Sequence, residues 1–149
     1  MNKLTSLLLL VLLSVACQQE ENYKKLRDEV VQFHDVVMND HGKIIGNQMR
    51  LDTLILRLNA FKQANPAIDT VLERKKIEDI IGSLKAAEVS MDRWMREFEP
   101  DVSDKSNREA VEYFKKEKLK ILRIDSLYKL EIRISQDFLS RSKKVYRKF

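Results

Sequence analysis

Apolar side chains recur every three or four positions through three long stretches of this sequence, and a proline stands near the end of each of the first two. That spacing keeps one face of an α-helix apolar, and sustained over many turns it is the pattern of helices that pack along their whole length. The first stretch carries Leu26, Val30, Phe33, Val37, His41, Ile44, Gln48, Leu51, Ile55 and Leu58 and stops near Asn65-Pro66. Proline lacks a backbone donor and disfavours helix in the residue before it. The second opens around Ala67, runs through Val71, Ile77, Ile80, Ile81, Leu84, Met91, Met95 and Phe98, and is closed by Pro100. A polar turn from Asp101 to Ser106 follows, with Ser103 or Ser106 as helix cap. The third runs from Ala110 through Phe114, Ile121, Asp125, Tyr128, Ile132, Ser135 and Leu139 to Tyr146.

No strand-like alternation competes over such lengths. Short connections between long helices make neighbours antiparallel. The predicted fold is therefore all-α: an up-down-up three-helix bundle, or antiparallel coiled coil, over residues 23–149. Composition agrees, with 44% hydrophobic and 34% charged residues but only three glycines. Gly42 and Gly46 fall inside the first helix and Gly82 inside the second, where close helix packing, or a kink near Asn39 to Gly42, would account for them.

The first residues have a different character. Met1-Asn2-Lys3 is a short cationic start, Leu7 to Leu13 is unbroken apolar, and Ser14-Val15-Ala16 are small or modest residues before Cys17. Charge, apolar run and small cleavage-site residues are the parts of a secretory signal peptide. The run is about half the ~20 residues a spanning helix needs, so a retained transmembrane anchor is not expected. Cys17 is the sole cysteine, which excludes an intramolecular disulfide.

Leu13-Ser14-Val15-Ala16-Cys17 resembles a bacterial lipobox, with Ser14 where leucine is most usual. The resemblance implies cleavage after residue 16, acylation of Cys17, and a short tether over residues 17–22. The alternative is a plain secretory signal with an incidental cysteine. Gln18 stands where an inner-membrane retention signal would have Asp, which points to the outer membrane. Gln18-Gln19-Glu20-Glu21 resembles the polar-then-acidic tetrad that directs Bacteroidota lipoproteins to the cell surface. Acidic residues before a helix also favour its dipole, a simpler reason for the same residues.

One cluster could carry chemistry. His34, Met38 and His41 share a face of the first helix, and Met91 and Met95 sit four apart on the second with Trp94 between them. An antiparallel fold about Asn65 brings His34 level with Met95 and Met38 with Met91; the third helix adds Tyr113 and Phe114 at that height. Thioethers with imidazole suit copper(I), and a His/Met pair in a bundle suits haem. Methionine beside aromatics is also ordinary core material, which is the default reading and leaves no cofactor. No His-Glu-x-x-His, Glu-x-x-His, Cys-x-x-Cys-His or glycine-rich phosphate loop occurs, and no enzymatic activity is expected.

The formal charge is +5. Up-down-up order gathers Arg74, Lys75, Lys76, Lys143, Lys144, Arg147 and Lys148 at the end far from Cys17, while Glu97, Glu99, Asp101, Asp104, Glu109 and Glu112 make the near end acidic. On a rod standing on its anchor this basic tip would meet an envelope protein or an anionic glycan; nucleic acid is not expected. The simpler alternative is a solvated face that keeps a helical rod soluble.

His34-Asp35-Val36-Val37-Met38, Met91-Asp92-Arg93-Trp94-Met95 and Glu109-Ala110-Val111-Glu112-Tyr113-Phe114 carry a further resemblance. They are similar to segments of short Bacteroidota lipoproteins that bear the label "viral A-type inclusion protein" for their coiled-coil character. The resemblance implies a helical lipoprotein and no mechanism. The reading that results is a membrane-anchored helical interaction or structural module of the envelope, with the copper or haem module as alternative.

Overall fold

Val30, Val37, Ile44, Leu51 and Leu58 recur every seven residues, and each is at most 1% exposed. Ile77, Leu84 and Met91 repeat that interval on the second helix, and Phe114, Ile121, Tyr128 and Ser135 on the third. A strict seven-residue seam keeps one face turned to its neighbours over many turns. In the computed structural model, which describes residues 22–146 with side chains to 143, these seams meet in one three-helix bundle with no strand among the described residues. The helices are α1 (Tyr23–Ala64), α2 (Thr70–Glu97) and α3 (Asn107–Tyr146).

Each boundary has a local cause. Asn22 begins α1 by accepting a hydrogen bond from the Lys24 amide on its side chain (2.9 Å). The chain turns over Asn65 to Asp69, held by Lys62 Nζ, which donates to the carbonyls of Pro66 and Ile68 at 2.7 Å each. Helix resumes at Thr70 rather than Ala67, because the Asp69 carboxylate captures the Val71 and Leu72 amides at 3.0 Å. Before α3, Ser106 and Glu109 form a reciprocal capping box: the Ser106 amide donates to the Glu109 carboxylate (3.0 Å) and the Glu109 amide to the Ser106 hydroxyl (3.3 Å). Ser106, not Ser103, is the cap.

Side-chain hydrogen bonds that join α1 to α3 among the described residues include Lys118 to Glu29, Tyr128 with His41, and Asn47 to Ser135. They span 89, 87 and 88 residues, so the two helices run parallel in a fixed register. The α2 helix runs antiparallel to both, which is the expected up-down-up order.

An ideal Cβ built on Gly42, Gly46 or Gly82 meets nothing within 4 Å, and none has positive φ. Close packing therefore does not account for these glycines, and α1 runs unbroken past two of them.

Candidate functional site

Near the start of α1 the three helices share a layer of rings. Trp94 stacks on Phe98 with centroids 4.7 Å apart, Phe98 meets Phe114 edge-on at 6.3 Å, and Tyr113 meets Phe114 edge-on at 5.1 Å. Tyr23 stacks on Phe114 from α1 at 6.2 Å. Such offset and edge-to-face pairs add to simple area burial. The indole N–H of Trp94 donates to Glu117 at 2.9 Å, and Lys120 donates to the same carboxylate at 2.7 Å. Glu117 is only 3% exposed, so these bonds keep a buried carboxylate satisfied. In return Glu117 holds the Lys120 ammonium above its usual range. The Tyr113 hydroxyl, raised mainly by burial, accepts the Glu99 amide at 2.7 Å and ties the loop after α2 to α3.

On the α1–α2 side this layer opens into a groove of about 350 Å³, lined by Val31, His34, Trp94, Met95 and Phe98. Its walls are mainly apolar. The His34 ring lies 6.1 Å from that of Trp94 and hydrogen-bonds through Nδ1 with Asp35 at 3.0 Å. Of the four residues expected to converge here, His34 and Met95 line the groove. Met91 is 1% exposed within the core and Met38 packs against the core's edge. Two of the thioethers are thus packing elements, and two candidate ligands face the open side. No group of three or more His, Cys, Asp or Glu side chains suited to a metal occurs among the described residues.

A second polar layer lies further along the bundle. Tyr128, fully buried, shares a hydrogen bond of 3.3 Å with His41 Nδ1. Burial, reinforced by the charges of Glu88 and Asp92, pushes its hydroxyl up to about 12. Gln48 donates to Glu88 at 3.2 Å, and Asn47 donates to Ser135, whose hydroxyl also reaches the Glu131 and Ile132 carbonyls. Asn47 and Glu117 escaped the sequence reading. Their signal was there for Glu117: with Ala110, Ile124 and Glu131 it forms a seven-residue series, all buried.

At the far end, Arg74, Lys75 and Lys76 each pair with an acid on α2: Glu78 at 3.8 Å, Asp79 at 3.0 Å and Glu73 at 2.8 Å. A depression of about 530 Å³ lies there among Ala67, Ile68, Asp69, Glu73, Lys76, Phe138, Arg141 and Ser142. The first turn and the end of α3 are thus neighbours. Lys143 is exposed nearby. The Lys144 side chain, Arg147, Lys148, Cys17 and Gln18 to Glu21 lie outside what the structure describes.

The fold and its surfaces define a three-helix bundle with a ring-lined groove at one end and an ion-paired tip at the other. Compared with family models, curated proteins and solved structures, the chain finds no match.

Proposed function

We propose that this chain is an exported bacterial lipoprotein, acylated on Cys17, whose helical bundle serves as an interaction module of the cell envelope. The observation that carries the reading is the place of the cysteine. Cys17 ends a lipobox-like segment and lies five residues before Asn22, the residue that caps α1. An acyl anchor would therefore lead almost directly into the bundle, and multiple chains make such an anchor stable. Among the described residues no helix is long and apolar enough to cross a membrane. Gln18 to Glu21 make the outer membrane, surface face included, the proposed location, in keeping with the likeness to short Bacteroidota lipoproteins. The interaction surface this reading favours is the α1–α2 groove, where a half-exposed Met95 and Val31 flank Trp94. The tip is a weaker candidate for an envelope protein or anionic glycan, since three of its cations already hold acids.

Metabolic labelling with a palmitate analogue tests the anchor. The full chain is expected to take up label and Cys17→Ser to take up none; label that survives the substitution overturns the assignment. Replacing Gln18 to Glu21 by alanine is expected to abolish protease access from outside intact cells without loss of acylation. The alternative, a copper or haem module, draws on the shared position of His34 and Met95. Copper(I) or haem binding tighter than micromolar that weakens with both His34→Ala and Met95→Ala would favour it over the interaction module.

A further inference from the structure

The middle of the outer face of α3 is sorted by charge. Between Glu112 and Asp137, both exposed, the sequence has three acids, Glu117, Asp125 and Glu131, and all three are turned inward and at most 8% exposed. Lys118, Lys120 and Lys129 flank the face and pair with Glu29, Glu117 and Asp125. Lys116, Arg123 and Arg133 are exposed and hold no ion pair among the described residues. Between these cations stand three large apolar side chains in solvent: Leu119 at 57%, Leu130 at 41% and Ile134 at 39% exposure. Leu119, Arg123, Ser126, Leu130 and Ile134 follow one another at intervals of four, three, four and four, which lines them up on the side opposite the buried Phe114–Ile121–Tyr128 seam. At 1.5 Å per residue the strip from Lys116 to Ile134 is roughly 27 Å long. A shallow depression among Ser126, Lys129, Leu130 and Arg133 lies at its centre.

We propose that this strip docks on a net-anionic phospholipid surface, so that the bundle lies along a membrane instead of standing on it. Cations spaced between apolar side chains, with the acids between them withdrawn, suit a bilayer interface: the apolar groups enter the headgroup region while the cations meet anionic headgroups. A purely acidic protein or polymer would use the cations and leave Leu119, Leu130 and Ile134 in water. The placement also has a consequence for the groove. Val31, His34, Trp94, Met95 and Phe98 belong to α1 and α2 or the residue that ends it, on the side of the bundle away from the outer face of α3. With α3 down, the groove opens away from the membrane.

The inference does not depend on the acyl anchor, and its test removes it. Residues 17–149 with Cys17→Ser retain every buried residue of the bundle, from Leu26 to Ser142. This chain is expected to float with vesicles of equal parts phosphatidylcholine and phosphatidylglycerol, not with phosphatidylcholine alone, and to release as salt rises. Lys116→Glu, Arg123→Glu and Arg133→Glu together are expected to weaken binding by roughly a hundredfold or more. Leu119→Ser with Leu130→Ser should weaken it at constant charge, and Arg74→Glu, Lys75→Glu and Lys76→Glu should leave it unchanged. Helicity by circular dichroism checks that each variant is folded. Equal binding to neutral vesicles, loss through the tip variant instead of the strip variant, or retention on polyaspartate without vesicle binding would each overturn the proposal, the last in favour of an acidic polymer. Palmitate labelling of Cys17 is unaffected by any of these outcomes.

Discussion

Gly42 and Gly46 show how little a residue's identity says about its surroundings. Both sit in regular helix with open space where a side chain would be. Glycine there leaves the unfolded chain freer without any return in packing. Gly42→Ala and Gly46→Ala are each expected to stabilise the bundle by about 0.5–1 kcal/mol, read from denaturant midpoints at unchanged slope. Tyr128 is the opposite case, a polar group whose surroundings govern it. Its hydroxyl titrates near 12 in the folded chain and near 10 in an unfolded one. The folded state thus keeps a proton that the unfolded state gives up. This contribution is complete below about pH 10 and is lost as pH rises through about 12. Compared with Tyr128→Phe, the native chain should lose thermal stability more steeply across that window. Parallel curves for the two would show that Tyr128 does not titrate as described.

Within an element, the seven-residue seam separates residues that look alike in sequence. Leu58 and Leu56 are two positions apart on α1, yet one is 1% exposed and the other 83%. Leu58→Ala is expected to cost about 2–5 kcal/mol through lost burial and a residual cavity, whereas Leu56→Ala should stay within about 0.5 kcal/mol. Chemical denaturation of both variants checks this. Much at this scale was legible beforehand: the α1 stripe from Leu26 to Leu58, the break at Asn65-Pro66, and a cap at Ser106 all follow from periodicity and local hydrogen-bonding chemistry. The helix α2 starts three residues later than the sequence pattern suggests, since Ala67 is itself compatible with helix and the Asp69 carboxylate decides the boundary by binding the Val71 and Leu72 amides.

For the molecule as a whole, α1 sets the length. Its 42 residues make a helix about 60 Å long, and α3 with 40 lies parallel to it. Small-angle scattering of a monomer should give a maximum dimension close to that length with the cross-section of three helices; a substantially longer particle would show that copies join end to end. The α1–α3 register keeps Glu29, His41 and Asn47 opposite Lys118, Tyr128 and Ser135. These buried and half-buried polar pairs match in one alignment, and a one-turn slip would leave several without partners.

Local spacing by itself determined the all-α class, the three helices and their up-down-up order, because a 3.6-residue period and two prolines act over neighbouring residues. It also brought His34, Met95, Trp94, Tyr113 and Phe114 to one height, since the distance from a turn fixes level along antiparallel helices. Only the tertiary structure decided which way each side chain turns at that level. It sent Met91 into the core, left His34 and Met95 on a groove, and coupled Trp94 to Glu117 across two helices. The same holds for the middle of α3, where Glu117, Asp125 and Glu131 face inward while Lys116, Arg123 and Arg133 face out, because a charge's surroundings depend on helices distant in sequence.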